Sequence, residues 1–145
     1  MAVFKQGDMF RASGFIIIST NSSLTSKGEL VMDQDAKRKL SKRVSGIDRI
    51  FGQMILETCG DLGIYGLLFY EEYGVLQVGY GCNEIDLNLF KFSMSKLSEK
   101  ANANWNEVYN INYPGIGIGR RKGSYLRVVE MLPDNVYVWR NGEVW

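Results

Sequence analysis

Apolar residues along the chain follow two periodicities, and polar or glycine-containing segments separate the runs. Short apolar runs, continuous or alternating, predict strands. They cover residues 2–5, 14–19, 65–70, 74–80, 108–113 and 135–139. Apolar residues that recur every third or fourth position predict helices over residues 35–45, 47–59, a long segment from 86, and 124–132. The predicted order is therefore β, β, α, α, β, β, α, β, α, β.

This alternation predicts one α/β domain, a three-layer α/β/α sandwich with a central mixed sheet and helices on both faces. The run Phe15-Ile16-Ile17-Ile18 is continuously apolar, which is typical of a strand buried on both faces. In such sheets, ligands bind at the carboxyl ends of the strands. The loops beginning at Asn21 and Pro114 both follow predicted strands, so we expect them to face one crevice.

The overall charge is nearly balanced, with 17 basic and 16 acidic residues among 145. A dedicated nucleic-acid-binding protein usually shows a strong basic excess, so this balance argues against that class. The local basic run 37–43 is predicted to be the solvated face of a helix, and a nucleic-acid-binding patch is the alternative.

Histidine is absent, and Cys59 and Cys82 are the two cysteines. This composition excludes Ser-His-Asp and Cys-His nucleophilic chemistry and the common zinc sites. We therefore expect no metal and no cofactor. Any acid–base chemistry must be carried out by carboxylates, lysine, tyrosine or the substrate itself.

Residues 1–6 lack the apolar segment of a signal peptide, and no apolar run reaches the roughly 18 residues that a membrane span needs. We expect a cytoplasmic, monomeric protein that does not associate with a membrane.

A glycine-rich stretch follows the predicted strand 108–113 and precedes a predicted helix. It places glycines at 115, 117 and 119 and basic residues at 120–122. Strand, glycine loop and helix start form a layout in which backbone N–H groups meet an anion. A simple turn between two elements has the same appearance, so both interpretations stay open here.

Four stretches in this order resemble the motifs of macro domains, the ADP-ribose-binding α/β modules, and above all the short phage and bacterial members. They are Gly7-Asp8-Met9, the run 17–24 (IISTNSSL), the run 28–32 (GELVM) and the glycine loop 113–119 (YPGIGIG). Together they span nearly the whole chain. The resemblance implies the macro-domain fold and a site for ADP-ribose or a derivative.

The resemblance also implies roles for individual residues. Asp8 would accept the exocyclic amine of adenine, Met9 would donate its backbone N–H to the ring, and Asn21 would hydrogen-bond the distal ribose. The main chain of the glycine loop would surround the diphosphate, supplemented by Arg120. The full implied set of ligand contacts is Asp8, Met9, Asn21, Ser22, Met32, Pro114, Gly115, Ile116, Gly117, Ile118, Gly119 and Arg120.

The chain departs from the family pattern in one place. Short relatives read Met-Gly-x-Gly-Ile-Ala where this chain has Met32-Asp33-Gln34-Asp35-Ala36. A carboxylate beside a phosphate costs affinity when both are charged. In the branch that hydrolyses ADP-ribose esters, however, an aspartate stands at about this place. Asn21 and Asp33 are therefore the candidate catalytic residues.

Each candidate also has a purely structural interpretation. Asp8 can form the turn behind Gly7, and Asn21 can bond its own backbone. Asp33 and Asp35 stand just ahead of a predicted helix, where a carboxylate caps free N–H groups.

The predicted function is binding of ADP-ribose or a derivative, with hydrolysis of an ADP-ribose adduct. Candidate substrates are ADP-ribose 1″-phosphate, O-acetyl-ADP-ribose and an ADP-ribosylated macromolecule, and nucleic acid is expected only as such a substrate. The alternatives are a viral or bacterial binder without turnover, acting in phage–host conflict, and a degenerate α/β interaction module.

Overall fold

The structure, a computed structural model, describes residues 1–32, 35–81, 85–112 and 122–140. Its six strands are β1 (Val3–Gln6), β2 (Phe15–Thr20), β3 (Leu67–Tyr70), β4 (Tyr73–Gln77), β5 (Tyr109–Asn112) and β6 (Val136–Arg140). Its α-helices are α1 (Asp35–Arg43), α2 (Ile47–Thr58), α3 (Leu87–Ala103) and α4 (Lys122–Glu130). A short 3₁₀ helix, Met9–Arg11, follows β1. The predicted order of strands and helices is confirmed.

The strands form one mixed sheet in the order β1-β6-β5-β2-β4-β3. All neighbouring pairs are parallel except the β3–β4 hairpin at one edge. The carboxyl ends of β1, β6, β5, β2 and β4 therefore lie along one edge of the sheet.

Two apolar clusters lie on opposite faces of this sheet, as the α/β/α prediction requires. Strand β2 supplies both clusters, because Ile17 packs with α3 and α4 on one face while Ile16 and Ile18 pack with α1 and α2 on the other. All three isoleucines are almost completely buried. Their β-branched side chains suit a strand that is covered on both sides.

The helices begin and end where local chemistry dictates. Asp86 caps α3, since its carboxylate accepts a hydrogen bond from the Leu89 N–H at 2.9 Å. Gly46 adopts a left-handed conformation between α1 and α2, which a glycine does without steric cost. None of the helices in the described ranges is both long and apolar enough to cross a membrane.

Several predicted boundaries are wrong by one to three residues, and the largest difference is at the end of β4. Strand β4 begins at Tyr73, which pairs with Tyr70, so the hairpin turn consists of Glu71 and Glu72 alone. The same strand ends at Gln77 rather than at residue 80. The Val78 N–H still donates to the Thr20 carbonyl of β2, but the Val78 carbonyl accepts from the Asp86 N–H. The Tyr80 carbonyl accepts from the Ser22 N–H in the loop after β2.

Candidate functional site

The ends of β2 and β5 meet at the carboxyl edge of the sheet. The Ser19 N–H donates to Asn112 Oδ1 at 2.7 Å, and the Ser19 hydroxyl donates to the Asn112 carbonyl at 3.1 Å. The loop containing Asn21 starts directly after β2, and the glycine loop starts directly after Asn112. The ends of the two strands that precede these loops therefore lie side by side, whereas the crevice predicted between the loops involves residues outside the described ones.

Asn21 is buried and forms a tight turn with its own loop. Its Oδ1 accepts a hydrogen bond from the Ser23 N–H at 2.9 Å, which is the structural role that the sequence left open. The Nδ2 group makes no hydrogen bond with any described residue. The turn thus holds the side chain in place, and its Nδ2 donor is unpaired within the described part of the chain.

Tyr65 stabilises this loop directly and Gln77 does so through Tyr65, and none of the four sequence motifs includes either residue. The Tyr65 hydroxyl donates to the Asn21 carbonyl at 2.7 Å, and complete burial raises the pKa of Tyr65 well above its usual value. The fully buried Gln77 accepts from the N–H groups of Tyr65 and Gly66 at 2.8 and 3.1 Å. Its Nε2 donates to the carbonyls of Gly63 and Gly79 at 2.8 and 3.3 Å. The sequence did contain one signal of this role, since Gln77 is the polar residue of the otherwise apolar predicted strand 74–80.

Asp8 lies after β1, at the same edge of the sheet. Its Oδ1 accepts from the Phe10 N–H at 3.0 Å and so caps the 3₁₀ helix. Arg11 Nε lies 3.9 Å from Asp8 Oδ2, and Lys39 Nζ lies 4.0 Å from Asp8 Oδ1. The Asp8 side chain remains 39% exposed. The turn-forming role is therefore present, and the carboxylate is still reachable from solvent.

Met9 begins the 3₁₀ helix, and its side chain is buried in the α1–α2 cluster. The first N–H groups of a helix have no partner within it, and the Met9 N–H bonds no other described residue. This backbone donor matches the role that the resemblance implies.

Ser22 and Met32 take structural positions. Ser22 is completely buried, with its hydroxyl 3.5 Å from the Tyr80 carbonyl and its own carbonyl accepting from the Leu62 N–H. Met32 packs half-buried against the α1–α2 cluster. Ser22 is therefore less suited than Asn21 to bind a ligand, because its hydroxyl, N–H and carbonyl already have hydrogen-bond partners in the protein.

The remaining predicted contacts lie outside the described residues. They are Asp33, Pro114, Gly115, Ile116, Gly117, Ile118, Gly119 and Arg120. Within the described ranges, no three carboxylate, cysteine or histidine side chains are grouped as a metal site would need.

The sequence matches no protein-family model and no curated protein. Several solved structures, however, share its fold. A macrodomain protein from Streptomyces coelicolor superimposes with a TM-score of 0.66 at 13% identity, covering 98% of this chain and 100% of that one. The macrodomain of DarG from Thermus aquaticus gives 0.60 at 12% identity, with 99% of each chain covered.

The macrodomain of DarG from Mycobacterium tuberculosis also superimposes, with a TM-score of 0.62 at 12% identity over 96% of this chain and 97% of that one. Nearly complete coverage of both chains means that the whole domain is shared rather than one βαβ unit. At identities this low, the comparisons establish the fold. This chain is a macrodomain in fold.

Proposed function

We propose that this chain binds ADP-ribose or an ADP-ribose derivative at the carboxyl edge of its sheet, and that it hydrolyses an ADP-ribose adduct. The observation that carries the binding proposal is the Asn21 turn beside the origin of the glycine loop, in which the Asn21 Nδ2 donor bonds no residue of the described ranges. The macrodomain fold and the order of the four motifs support the choice of ligand.

The described donors and acceptors suit the two ends of this ligand. At one end, the Met9 N–H and the reachable Asp8 carboxylate offer a donor and an acceptor to a purine edge. At the other end, the Asn21 amide offers a donor to a ribose hydroxyl. Arg11 and Lys39 lie within 4.0 Å of the Asp8 carboxylate. They offset its charge, so that it opposes an anionic ligand less.

Hydrolysis requires a group that activates water, and Asp33 is our candidate. Its carboxylate would take a proton from water as the oxygen attacks the anomeric carbon or an ester carbonyl. Attack at the anomeric carbon breaks the bond between that carbon and the leaving oxygen, whereas attack at an ester carbonyl breaks the acyl–oxygen bond. In both cases the leaving oxygen takes a proton from the substrate phosphate or from solvent, and Asp33 later returns its proton to solvent.

Binding without turnover is the second candidate function. The sequence Asp33-Gln34-Asp35 favours it, since two carboxylates replace glycines in the first phosphate-facing loop of the family pattern. Such a protein would recognise or sequester the nucleotide.

Titration calorimetry with ADP-ribose tests binding. Asn21→Asp keeps the acceptor for the Ser23 N–H but removes the Nδ2 donor, so we expect heat for the wild type and strongly weakened binding for this variant. Asn88→Asp, at an exposed position on α3, is the control and should bind as the wild type does. Absence of both heat and a melting shift at millimolar ADP-ribose would overturn the proposal and favour an interaction module.

Turnover is tested separately with ADP-ribose 1″-phosphate, O-acetyl-ADP-ribose and an ADP-ribosylated protein. We expect release of ADP-ribose by the wild type and loss of this activity in Asp33→Asn. Asp134→Asn, which removes an exposed ion pair with the amino terminus, is the control. Binding without product supports the second candidate, and full activity of Asp33→Asn removes Asp33 from the mechanism.

A further inference from the structure

Helix α1 carries a concentration of positive charge, and one of its cations, Lys39, lies beside Asp8 of the proposed nucleotide site. Five of its nine residues are basic, namely Lys37, Arg38, Lys39, Lys42 and Arg43. All except the half-buried Lys37 are exposed. The helix is anchored through Leu40, which is completely buried in the α1–α2 cluster.

The tertiary structure extends this charge onto a second element. Arg11 of the 3₁₀ helix, 89% exposed, and Lys39 of α1 flank the same Asp8 carboxylate. Arg43 also joins the two elements, since its guanidinium donates to the Phe10 carbonyl and lies over the Phe10 ring. We call Arg11 and the five basic residues of α1 the basic face.

The charge of the basic face contrasts with that of the rest of the chain. Arg11 and α1 together hold six basic residues, with Asp8 and Asp35 as their acidic neighbours, whereas the remaining sequence has 11 basic and 14 acidic residues. The nearly neutral total therefore conceals an uneven distribution of charge. Asp33 comes two residues before α1 in the sequence, and Asp35 is the first residue of that helix. The side chains of both lie outside the described part of the structure.

The spacing within α1 brings like charges together. Arg38 and Lys42, and likewise Lys39 and Arg43, are four residues apart and share a helix face. Like charges at this spacing destabilise a helix, whereas a merely solvated face usually alternates in sign. A bound polyanion would relieve this repulsion.

The shape and composition of the basic face favour a phosphodiester chain. Nine helical residues extend about 13.5 Å, which is the rise of about four nucleotides in one strand. No large apolar side chain of the 3₁₀ helix or α1 is exposed in the described structure. Protein interfaces usually centre on such anchors, and membrane-binding helices insert them.

We propose that the basic face binds the phosphodiester backbone of a nucleic acid. This interaction is electrostatic and independent of base sequence. The basic face adjoins the proposed nucleotide site, because Arg11 and Lys39 flank Asp8, but phosphodiester binding does not require ADP-ribose binding and so does not rest on the proposed function.

Fluorescence anisotropy with a labelled DNA duplex of about 20 base pairs, titrated at several salt concentrations, tests the proposal. Each phosphate contact contributes about −0.9 to the slope of log affinity against log salt. The double variant Arg38→Glu/Lys42→Glu should weaken binding about tenfold or more and make the slope shallower by about two.

The matched control is Lys96→Glu/Lys100→Glu, another exposed basic pair four residues apart, on α3. It changes the net charge equally and should reduce affinity less than about twofold if only the basic face contacts DNA. Circular dichroism establishes that both variants fold. Failure of the wild type to bind at low salt, or an equal loss in both variants, would overturn the proposal. So would binding to anionic vesicles or polyglutamate without binding to the duplex.

Discussion

Ser19 and Asn112 form a two-point contact that joins the carboxyl ends of β2 and β5, with hydrogen bonds of 2.7 and 3.1 Å. One bond uses the Asn112 side chain and the other its main chain. Because both loops of the proposed nucleotide site start at this contact, its geometry fixes the distance between their origins.

The first prediction concerns Asn112→Ala. This change leaves the buried Ser19 N–H without its acceptor, so we expect a loss of about 1–3 kcal/mol in the free energy of unfolding. Urea denaturation measures it. Affinity for ADP-ribose should fall as well. Ser95→Ala, at an exposed position where the hydroxyl bonds only the carbonyl three residues earlier, should change neither quantity appreciably. Equal effects in both variants would contradict the assigned role.

The second prediction concerns Gln77, whose side chain makes four hydrogen bonds to residues 63–66 and 79. Gln77→Leu leaves all four buried backbone partners unsatisfied. We expect unfolding to become easier by about 3–5 kcal/mol, measured by denaturation or by the melting temperature. Gln53→Leu on the exposed face of α2 is the control, with an expected change below about 0.5 kcal/mol. A similar stability of the two variants would refute the role of Gln77.

The third prediction concerns Tyr65→Phe, which removes the hydrogen bond to the Asn21 carbonyl. We expect a loss of about 0.5–1.5 kcal/mol in unfolding free energy and weaker ADP-ribose binding, because the Asn21 turn is less firmly held. Tyr137→Phe on β6, where the ring is half-buried, is the control. An ADP-ribose affinity that stays unchanged in Tyr65→Phe would show that the turn needs no support from this hydroxyl.

The fourth prediction follows from the raised pKa of the same tyrosine. Burial favours the neutral phenol, so the folded pKa lies well above the ordinary value of 10.0. Above pH 10.0, the unfolded chain loses this proton while the folded protein keeps it, and stability therefore falls as pH rises. The fall should be steeper in the wild type than in Tyr65→Phe. Denaturation between about pH 8 and about pH 11 measures the difference; parallel curves would contradict the prediction.

The fifth prediction concerns the close approach of α2 to the segment before α1. A Cβ atom on Gly52 would lie 2.0 Å from the Gly28 carbonyl oxygen. Gly52→Ala should therefore destabilise the protein by more than about 2 kcal/mol, since backbone rather than a flexible side chain must shift. At Gly123 in α4 nothing lies within 4 Å, so Gly123→Ala should be neutral or stabilise by up to about 1 kcal/mol. The melting temperatures of both variants test this prediction, and equal melting temperatures would contradict it.

Sequence reasoning succeeded where the signal was local. The apolar run of β2 predicted a doubly buried strand, and Ile16 to Ile18 are buried on both faces of the sheet. The order and spacing of four motifs predicted the macrodomain fold, which the solved structures confirm. The residues of the glycine loop and Asp33 lie outside the described structure, so their roles stay predictions.

Sequence reasoning failed where partners are distant along the chain. The Gln77 and Tyr65 contacts link residues 12 to 44 positions apart, and no periodicity encodes which backbone groups a buried side chain will meet. The run 37–43 does lie on a helix with four of its five basic side chains exposed, as predicted. Arg11 joins it only because the fold places the 3₁₀ helix beside α1.

The sequence by itself determined the order of strands and helices and the two-sided burial of β2, because hydrophobic periodicity and turn chemistry act over a few residues. It indicated the family of folds through the resemblance of four motifs to macro domains. Only the tertiary structure decided that Ser19 meets Asn112, that the Asn21 side chain bonds the Ser23 N–H, and that cations from two elements flank Asp8. These features depend on hydrogen bonds and charges brought together by the packing of the sheet and its helices.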